Sequence, residues 1–204
     1  MRTSVSIVAT SPLVLIDLNT TSGVVGRPYV FTYTPLALEA TRQLVATLGG
    51  AIEGQAVSPA DIERYFLQRL RLVGKTGIAL MACAGIDMAL WDVLAVAQRV
   101  PLVTLLGRTP RPLPAYDSHN MDGKALGVER AARARDESYQ SIKTKIGYAT
   151  LEEDLEIVRV LRKVTGPLMS IMVDYNQGLT VPAATRRIQV LQDEGLVWVE
   201  EPTL

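Results

Sequence analysis

The sequence of 204 residues contains a single cysteine, Cys83, and a single histidine, His119. One cysteine excludes an internal disulfide and a metal site built from several cysteines. One histidine cannot form a histidine metal cluster, and we expect no triad around His119. Cys83 lies in an apolar segment and is expected to be a small core residue. The candidate chemistry therefore has to come from other side chains.

Neither sign of charge is in excess, since 21 Lys and Arg residues balance 21 Asp and Glu residues. No run of Lys and Arg supplies the positive field that nucleic acids require, so we expect no nucleic-acid partner. No stretch comes near the roughly 20 apolar residues of a membrane span. Residues 1–4 open a short mixed segment without the apolar core and cleavage site of a signal peptide. These absences predict a cytoplasmic protein with no membrane partner.

The first half of the chain mixes strand and helix patterns. A predicted hairpin is followed by three predicted helices, with Gly49-Gly50 as a stop signal after the first and Ser58 as the N-cap of the second. The strands are predicted at 12–17 and 29–33, and the helices at 36–48, from Pro59, and at 79–99. Proline and glycine punctuate residues 106–114, which predicts a domain boundary. We therefore expect an α+β domain over 1–108.

Beyond this boundary, strand and helix patterns alternate. The predicted strands end at Tyr116, Lys145, Asp174 and Glu200, which are 29, 29 and 26 positions apart. This spacing is typical of parallel strands joined by crossover helices. Residues 109–204 therefore predict four β/α units whose strands all end on one rim, where parallel α/β folds place their chemistry.

Polar residues appear where these apolar strands stop. Lys143 and Lys145 alternate along one strand, so both ammonium groups face one side. Asp174 and Glu200 end the next two strands, and Asn176 shares the orientation of Asp174. Each pattern has an ordinary alternative: a Lys-x-Lys pair suits the wet face of an edge strand, and Asp or Asn suits a helix cap or an Asx turn.

Taken together, the set suits removal of a proton from the carbon beside a carboxylate. Carboxylate oxygens of Asp174 and Glu200 suit Mg²⁺, and a divalent cation with an ammonium group would stabilise the enediolate that forms. The base must be neutral at working pH, and a second lysine two residues away disfavours the charged form of the first. One lysine would then bind and neutralise while the other abstracts the proton.

These motifs resemble the mandelate racemase/muconate lactonizing enzyme family of the enolase superfamily, and within it the mandelate racemases. The resemblance covers nearly the whole chain but only the N-terminal portion of such enzymes. Its most specific part is the ordered set Lys143-Thr-Lys145, Asp174-Tyr-Asn176 and Glu200-Glu-Pro202. The resemblance implies an α+β capping domain, lacking its very N-terminus, followed by the first half of an α/β (β/α) barrel that uses Mg²⁺.

The same resemblance implies roles for individual residues. Lys145 corresponds to the lysine base, and Lys143 to the lysine that contacts the substrate carboxylate. Asp174 and Glu200 correspond to two of three metal ligands. The residues implied to lie around the substrate are Asn176, Ser118, Tyr33 and Phe31, the last two from the capping domain. The implied reaction is a 1,1-proton transfer that racemises a 2-hydroxy acid such as mandelate.

Two departures from the family limit these expectations. Residues 1–9 would be the remainder of a loop that covers the substrate. The sequence also stops after the fourth barrel strand, so the third metal ligand and the histidine base would lie outside it, and His119 is not that histidine. Four strands cannot close a barrel of about eight. We therefore expect a homo-oligomer or a complementing C-terminal half, and little activity from the chain alone.

Two alternative functions stay open. A hydroxy-acid or sugar-acid dehydratase of the same superfamily would use the same enolate step but expel a hydroxyl group. A non-catalytic fragment could instead act as an assembly module. Tyr33, Phe31 and the apolar Val5 and Val8 favour an aromatic substrate.

Overall fold

The computed structural model describes residues 2–204. The chain folds into two compact units: residues 10–112 form one, and residues 2–9 together with 113–204 form the other. The division predicted from the sequence, 1–108 and 109–204, differs from these units in where it places residues 2–9 and 109–112.

The unit of residues 10–112 contains short antiparallel strand pairs and four helices. Its elements are β1 (Leu13–Leu15), β2 (Leu18–Asn19), β3 (Val25–Gly26), β4 (Tyr29–Phe31), α1 (Pro35–Ala51), α2 (Pro59–Arg69), α3 (Gly77–Gln98) and α4 (Leu102–Leu105). Strand β1 pairs with β4, which confirms the predicted hairpin. A second pair, β2 with β3, lies inside it.

One helix boundary in this unit differs from its prediction, and Ser58 takes the predicted N-cap position of α2 without a capping hydrogen bond. Helix α1 continues through Gly49 and Gly50, so the predicted stop is wrong; a glycine inside a helix costs only about 1 kcal/mol and does not by itself end it. The backbone of Ser58 is extended before α2, but its hydroxyl donates to Asp61 Oδ2 at 2.6 Å and caps no helix N–H.

Helix α3 forms the centre of the core of residues 10–112. Its buried residues include Cys83, which is 1% exposed, so the core position predicted for it is confirmed. The core is made of Val14, Ile16, Val30, Val45, Leu48, Ile62, Phe66, Ala82, Cys83, Ile86, Ala89 and Leu90. By length and composition alone α3 could cross a membrane, so the expectation that no stretch comes near a span was wrong; half of its most apolar 18-residue window is buried within the structure.

The other unit is built from β/α units around a parallel sheet. Its elements are β5 (Asp117–Ser118), α5 (Gly123–Asp136), β6 (Ser141–Lys145), α6 (Leu151–Thr165), β7 (Ser170–Asp174), α7 (Val181–Leu191), a 3₁₀ turn (Gln192–Glu194) and β8 (Val199–Glu200). The strands are parallel in the order β5-β6-β7-β8. The predicted fold, a capping domain followed by four β/α units, is confirmed.

The first strand was predicted to end at Tyr116, but β5 covers only Asp117–Ser118, so that predicted end is wrong and residues 113–116 lie outside the ladder. Pro114 has no N–H to donate there. In the central strands one face packs on helices: Ile142, Ile171 and Val173 are fully buried in the core. The other face carries Lys143 beside Met172 and Lys145 beside Asp174 in register. The alternation of side chains thus directs the lysines away from the helices.

Candidate active site

The two lysines of β6 end on the same carboxylate. Lys145 Nζ donates to Asp174 Oδ2 at 2.7 Å, and Lys143 Nζ lies 3.6 Å from the same oxygen. Both lysine residues are 8% exposed and Asp174 is 2% exposed. Charges this well buried are costly unless they are paired, so the three groups hold one another in place.

The Asp174 carboxylate is also held by two hydrogen bonds from Asn176. The backbone N–H of Asn176 donates to Asp174 Oδ1 at 2.8 Å, and Asn176 Nδ2 donates to Oδ2 at 3.1 Å. Asn176 adopts a left-handed backbone with φ of 45°, which Asn tolerates better than most residues. This turn points the amide back toward the strand end.

Glu200 enters the same cluster from β8. It pairs in register with Asp174, and Lys143 Nζ donates to its Oε1 at 2.9 Å. Trp198 Nε1 donates to the other oxygen at 3.2 Å. Glu201, whose φ is 41°, is exposed. Lys143 therefore lies between two carboxylates from neighbouring strands.

Burial lowers the pKa of Lys143, but the hydrogen bond to Glu200 and the charges of Glu200 and Asp174 outweigh it and raise the pKa above its ordinary value. Lys143 is therefore charged at neutral pH. A charged amine can bind an anion, whereas a base must be neutral before it can take a proton.

The donor set of this cluster fits a hard divalent cation in part. Asp174 and Glu200 supply carboxylate oxygens at adjacent strand ends, and Asn176 Oδ1 is buried without a hydrogen-bond partner among the described residues. Oxygen ligands of this kind are those that Mg²⁺ prefers. Residues 2–204 contain no cluster of three or more His, Cys, Asp or Glu side chains able to hold a metal. Further ligands would have to come from water, substrate or another polypeptide.

The remaining predicted substrate residues fall in two places. Ser118 is exposed at the end of β5, the outer strand of the sheet, where it pairs in register with Lys143. Phe31 and Tyr33 belong to the unit of residues 10–112, where their ring centroids are 4.6 Å apart. Tyr33 is 66% exposed. Their contact with a substrate stays a prediction.

Sequence reasoning missed two aromatic residues, Tyr116 beside Lys143 and Trp198 beside Glu200. The ring centroid of Tyr116 lies 5.5 Å from Lys143 Nζ, and the Tyr116 and Trp198 rings meet edge to face at 6.1 Å. Each precedes a predicted site residue by two positions, Ser118 and Glu200 respectively. Both rings stand directly before a short strand, and this spacing from the predicted site residues was the signal that could have identified them.

His119 lies close to the lysine strand but outside the cluster. Its backbone N–H donates to the Lys143 carbonyl at 2.7 Å, and its ring Nε2 lies 2.9 Å from Asp117 Oδ2. The ring is 2% exposed, so it is anchored in the end of β5.

Two family models match the chain. Residues 1–107 match the mandelate racemase / muconate lactonizing enzyme N-terminal domain, and residues 127–204 match the enolase C-terminal domain-like family. Together they cover nearly all of the sequence.

Individual relatives carry several activities. D-galactarolactone cycloisomerase of Agrobacterium fabrum is 34% identical over 79% of this chain and 44% of its own length. Arabinonate dehydratase of Saccharolobus solfataricus is 32% identical over 63% of this chain and 36% of its own length. A solved enolase from Bradyrhizobium, complexed with magnesium and mandelic acid, is 40% identical with a TM-score of 0.93, covering all of this chain and 56% of that one. The chain thus spans about half the length, or less, of these relatives.

Proposed function

The chain belongs to the mandelate racemase/muconate lactonizing enzyme family of the enolase superfamily, and on that premise we propose that it provides half of an active site that removes the α-proton of a small carboxylate. The observation that carries this proposal is the cluster in which Lys143 and Lys145 meet Asp174 and Glu200 at the ends of three parallel strands.

Lys145 is the proposed base and Lys143 the proposed binding group. Lys143 is held charged by its two carboxylate neighbours, so it would attract the carboxylate of a substrate and neutralise the negative charge that grows on it. Lys145 shares that side of the strand and would take the proton on one face of the substrate.

Asp174 and Glu200 would hold Mg²⁺, and Asn176 would contribute its Oδ1, which has no hydrogen-bond partner within residues 2–204, to the metal or the substrate. When bound, the ion supplies positive charge for the enolised carboxylate. Support comes from the Bradyrhizobium relative, which was crystallised with magnesium.

An aromatic 2-hydroxy acid such as mandelate is the proposed substrate, with racemisation as the outcome. The Bradyrhizobium relative was crystallised with mandelic acid. In this chain Val5 is 60% exposed within residues 2–9, which belong to the same compact unit as the strand ends. Ser118, Phe31 and Tyr33 are the other side chains proposed to contact the substrate.

A dehydratase is the second candidate, because the arabinonate dehydratase relative is 32% identical to this chain. It would use the same proton removal and then expel a hydroxyl group. In either case the proposed working form has a completed barrel, supplied by a second copy or a complementing polypeptide, and acts in the cytoplasm. A fragment that only assembles with other chains is the third candidate.

The test is an exchange measurement on a completed barrel. Residues 1–204 are joined to the C-terminal remainder of the Bradyrhizobium relative and incubated with Mg²⁺ in D₂O, in separate reactions with (R)-mandelate, (S)-mandelate and the sugar acid arabinonate. We expect deuterium to appear at Cα, measured by NMR, together with racemisation, measured by polarimetry. Loss of water from sugar acids without exchange of mandelate would favour the dehydratase. A folded, magnesium-binding fusion that does neither would refute proton abstraction and leave the assembly role.

A further inference from the structure

Asp154 is a fully buried carboxylate outside the cluster described above. It lies in the first turn of α6 and is 0% exposed. A buried charge of this kind is tolerated only when hydrogen-bond donors surround it. Its surroundings therefore show which parts of the fold it joins.

Four donors from three segments converge on Asp154. Oδ1 accepts the backbone N–H groups of Gly147 and Tyr148, each at 2.9 Å. Oδ2 accepts the Tyr175 hydroxyl at 2.9 Å and a guanidinium N–H of Arg187 on α7. Both oxygens are thus used twice.

These donors are next to the candidate site in sequence. Gly147 and Tyr148 follow Lys145 by two and three positions, and Tyr175 directly follows Asp174. Tyr175 is 0% exposed, and its side chain points to the opposite side of the strand from Asp174. Asp154 therefore ties the ends of β6 and β7 together from behind the site.

Arg187 strengthens the same tie. Besides its contact with Asp154, it donates to the carbonyls of Tyr148 at 3.1 Å and Ala149 at 3.2 Å. The loop after β6 is thereby held by α6 through its N–H groups and by α7 through its carbonyls. A charged donor paired with a buried carboxylate makes this a strong contact.

The loop after β7 needs such a restraint. Asn176 and Gln177 both adopt left-handed backbones, with φ of 45° and 62°. Non-glycine residues in this region cost on the order of 1–3 kcal/mol each and persist only where the surroundings enforce them. The Tyr175 hydroxyl bond to Asp154 anchors the residue immediately before this strained pair.

We propose that Asp154 is a positioning residue that sets the separation between the Lys145 ammonium and the Asp174 carboxylate, acting through the 147–148 turn and the Tyr175 hydroxyl. The catalytic importance of this separation rests on the proposed function, whereas the control of the separation by Asp154 does not. Asp154 itself touches neither lysine, so it is not a catalytic residue.

The test compares crystal structures of three variants of the 204-residue chain. Asp154→Asn replaces one acceptor oxygen with an amide donor that would face the existing donors. Tyr175→Phe removes a single oxygen and is the milder change if Asp154→Asn fails to fold. Glu156→Gln is the matched control, since Glu156 is an exposed acid on the same helix that pairs with Lys124. Mn²⁺ affinity, by electron paramagnetic resonance, and the thermal unfolding midpoint are measured for each.

In Asp154→Asn and Tyr175→Phe we expect the Lys145 Nζ to Asp174 Oδ2 distance, 2.7 Å here, to exceed about 3.5 Å, the limit of a useful hydrogen bond. Mn²⁺ affinity should fall about 10-fold to 100-fold, as for other residues that orient metal ligands. Glu156→Gln should change neither quantity. An unaltered distance with only a lower unfolding midpoint would overturn the inference and leave Asp154 a purely structural residue.

The distance decides the inference even if the parent chain binds no Mn²⁺. Failure of the parent to bind the ion would count against a metal site formed by this chain alone and would not affect the distance comparison. Failure of the distance to change would count against the positioning role alone.

Discussion

Lys143 is the residue that most clearly shows how this site is organised. Its Nζ lies 2.9 Å from Glu200 Oε1 and 3.6 Å from Asp174 Oδ2. The same atom lies over the ring of Tyr116, 5.5 Å from the ring centroid. A divalent cation on the same carboxylates would compete with this ammonium group and be repelled by it. The amine that would neutralise a substrate therefore weakens the metal site.

Lys143→Met should raise the affinity of the chain for Mg²⁺ by about tenfold or more, since methionine keeps the length of the side chain but removes the competing charge. A tenfold change in affinity corresponds to about 1.4 kcal/mol. This is a modest fraction of the repulsion of about 4 kcal/mol expected between two unit charges about 4 Å apart near a protein surface. Isothermal titration calorimetry of the 204-residue chain measures the change. Lys163→Met, which removes an exposed lysine from α6, should leave the affinity unchanged. Weaker magnesium binding in Lys143→Met would contradict the competition.

Helix α6 is the element on which the candidate site depends for its placement. Thr150 and Glu153 form a reciprocal capping box at its start: the Thr150 hydroxyl accepts from the Glu153 N–H, and the Glu153 carboxylate accepts from the Thr150 N–H. The cap fixes the first turn, which also carries Asp154. A sharp helix start thus fixes where this buried carboxylate lies.

Removing this cap should destabilise the fold by a measurable but small amount. Thr150→Ala should lower the free energy of unfolding by about 1 kcal/mol, as for other N-cap replacements. This corresponds to a fall of about 2–4 °C in the melting temperature of a chain this size. Thr185→Ala is the control, because Thr185 is exposed within α7 and its hydroxyl donates to the carbonyl of Val181 in the preceding turn. Equal effects of the two variants in thermal denaturation would argue against the cap.

Three of the four strand ends could be predicted because parallel strands impose a regular repeat; the end at Tyr116 was wrong, since β5 begins at Asp117. Lys145, Asp174 and Glu200 are the last residues of β6, β7 and β8, as the spacing of polar residues indicated. The end of helix α1 could not be predicted from its glycines. The helix continues through Gly49 and Gly50 to Ala51, because the low helix propensity of glycine does not decide where a packed helix ends. The Asp154 network escaped sequence reasoning because its partners are up to 33 positions apart and nothing local marks them.

At the scale of the whole molecule, the described residues provide four parallel strands, whereas a closed barrel of this kind needs about eight. The site cluster occupies the ends of three of them, so its lysines approach a substrate from one side only. A full 1,1-proton transfer requires a second base on the opposite face. On the proposed function, Lys145 would serve one face of the substrate and therefore one enantiomer.

The most direct measurement is the exchange of the mandelate α-proton in D₂O by the fusion of residues 1–204 with the remainder of the Bradyrhizobium relative, before and after Lys145→Ala. Circular dichroism and the unfolding midpoint establish that both forms are folded. We expect the variant to lose exchange from one enantiomer and to keep it from the other, because only the base on one face has been removed. Undiminished exchange from both enantiomers would reject Lys145 as the base and contradict the proposed mechanism.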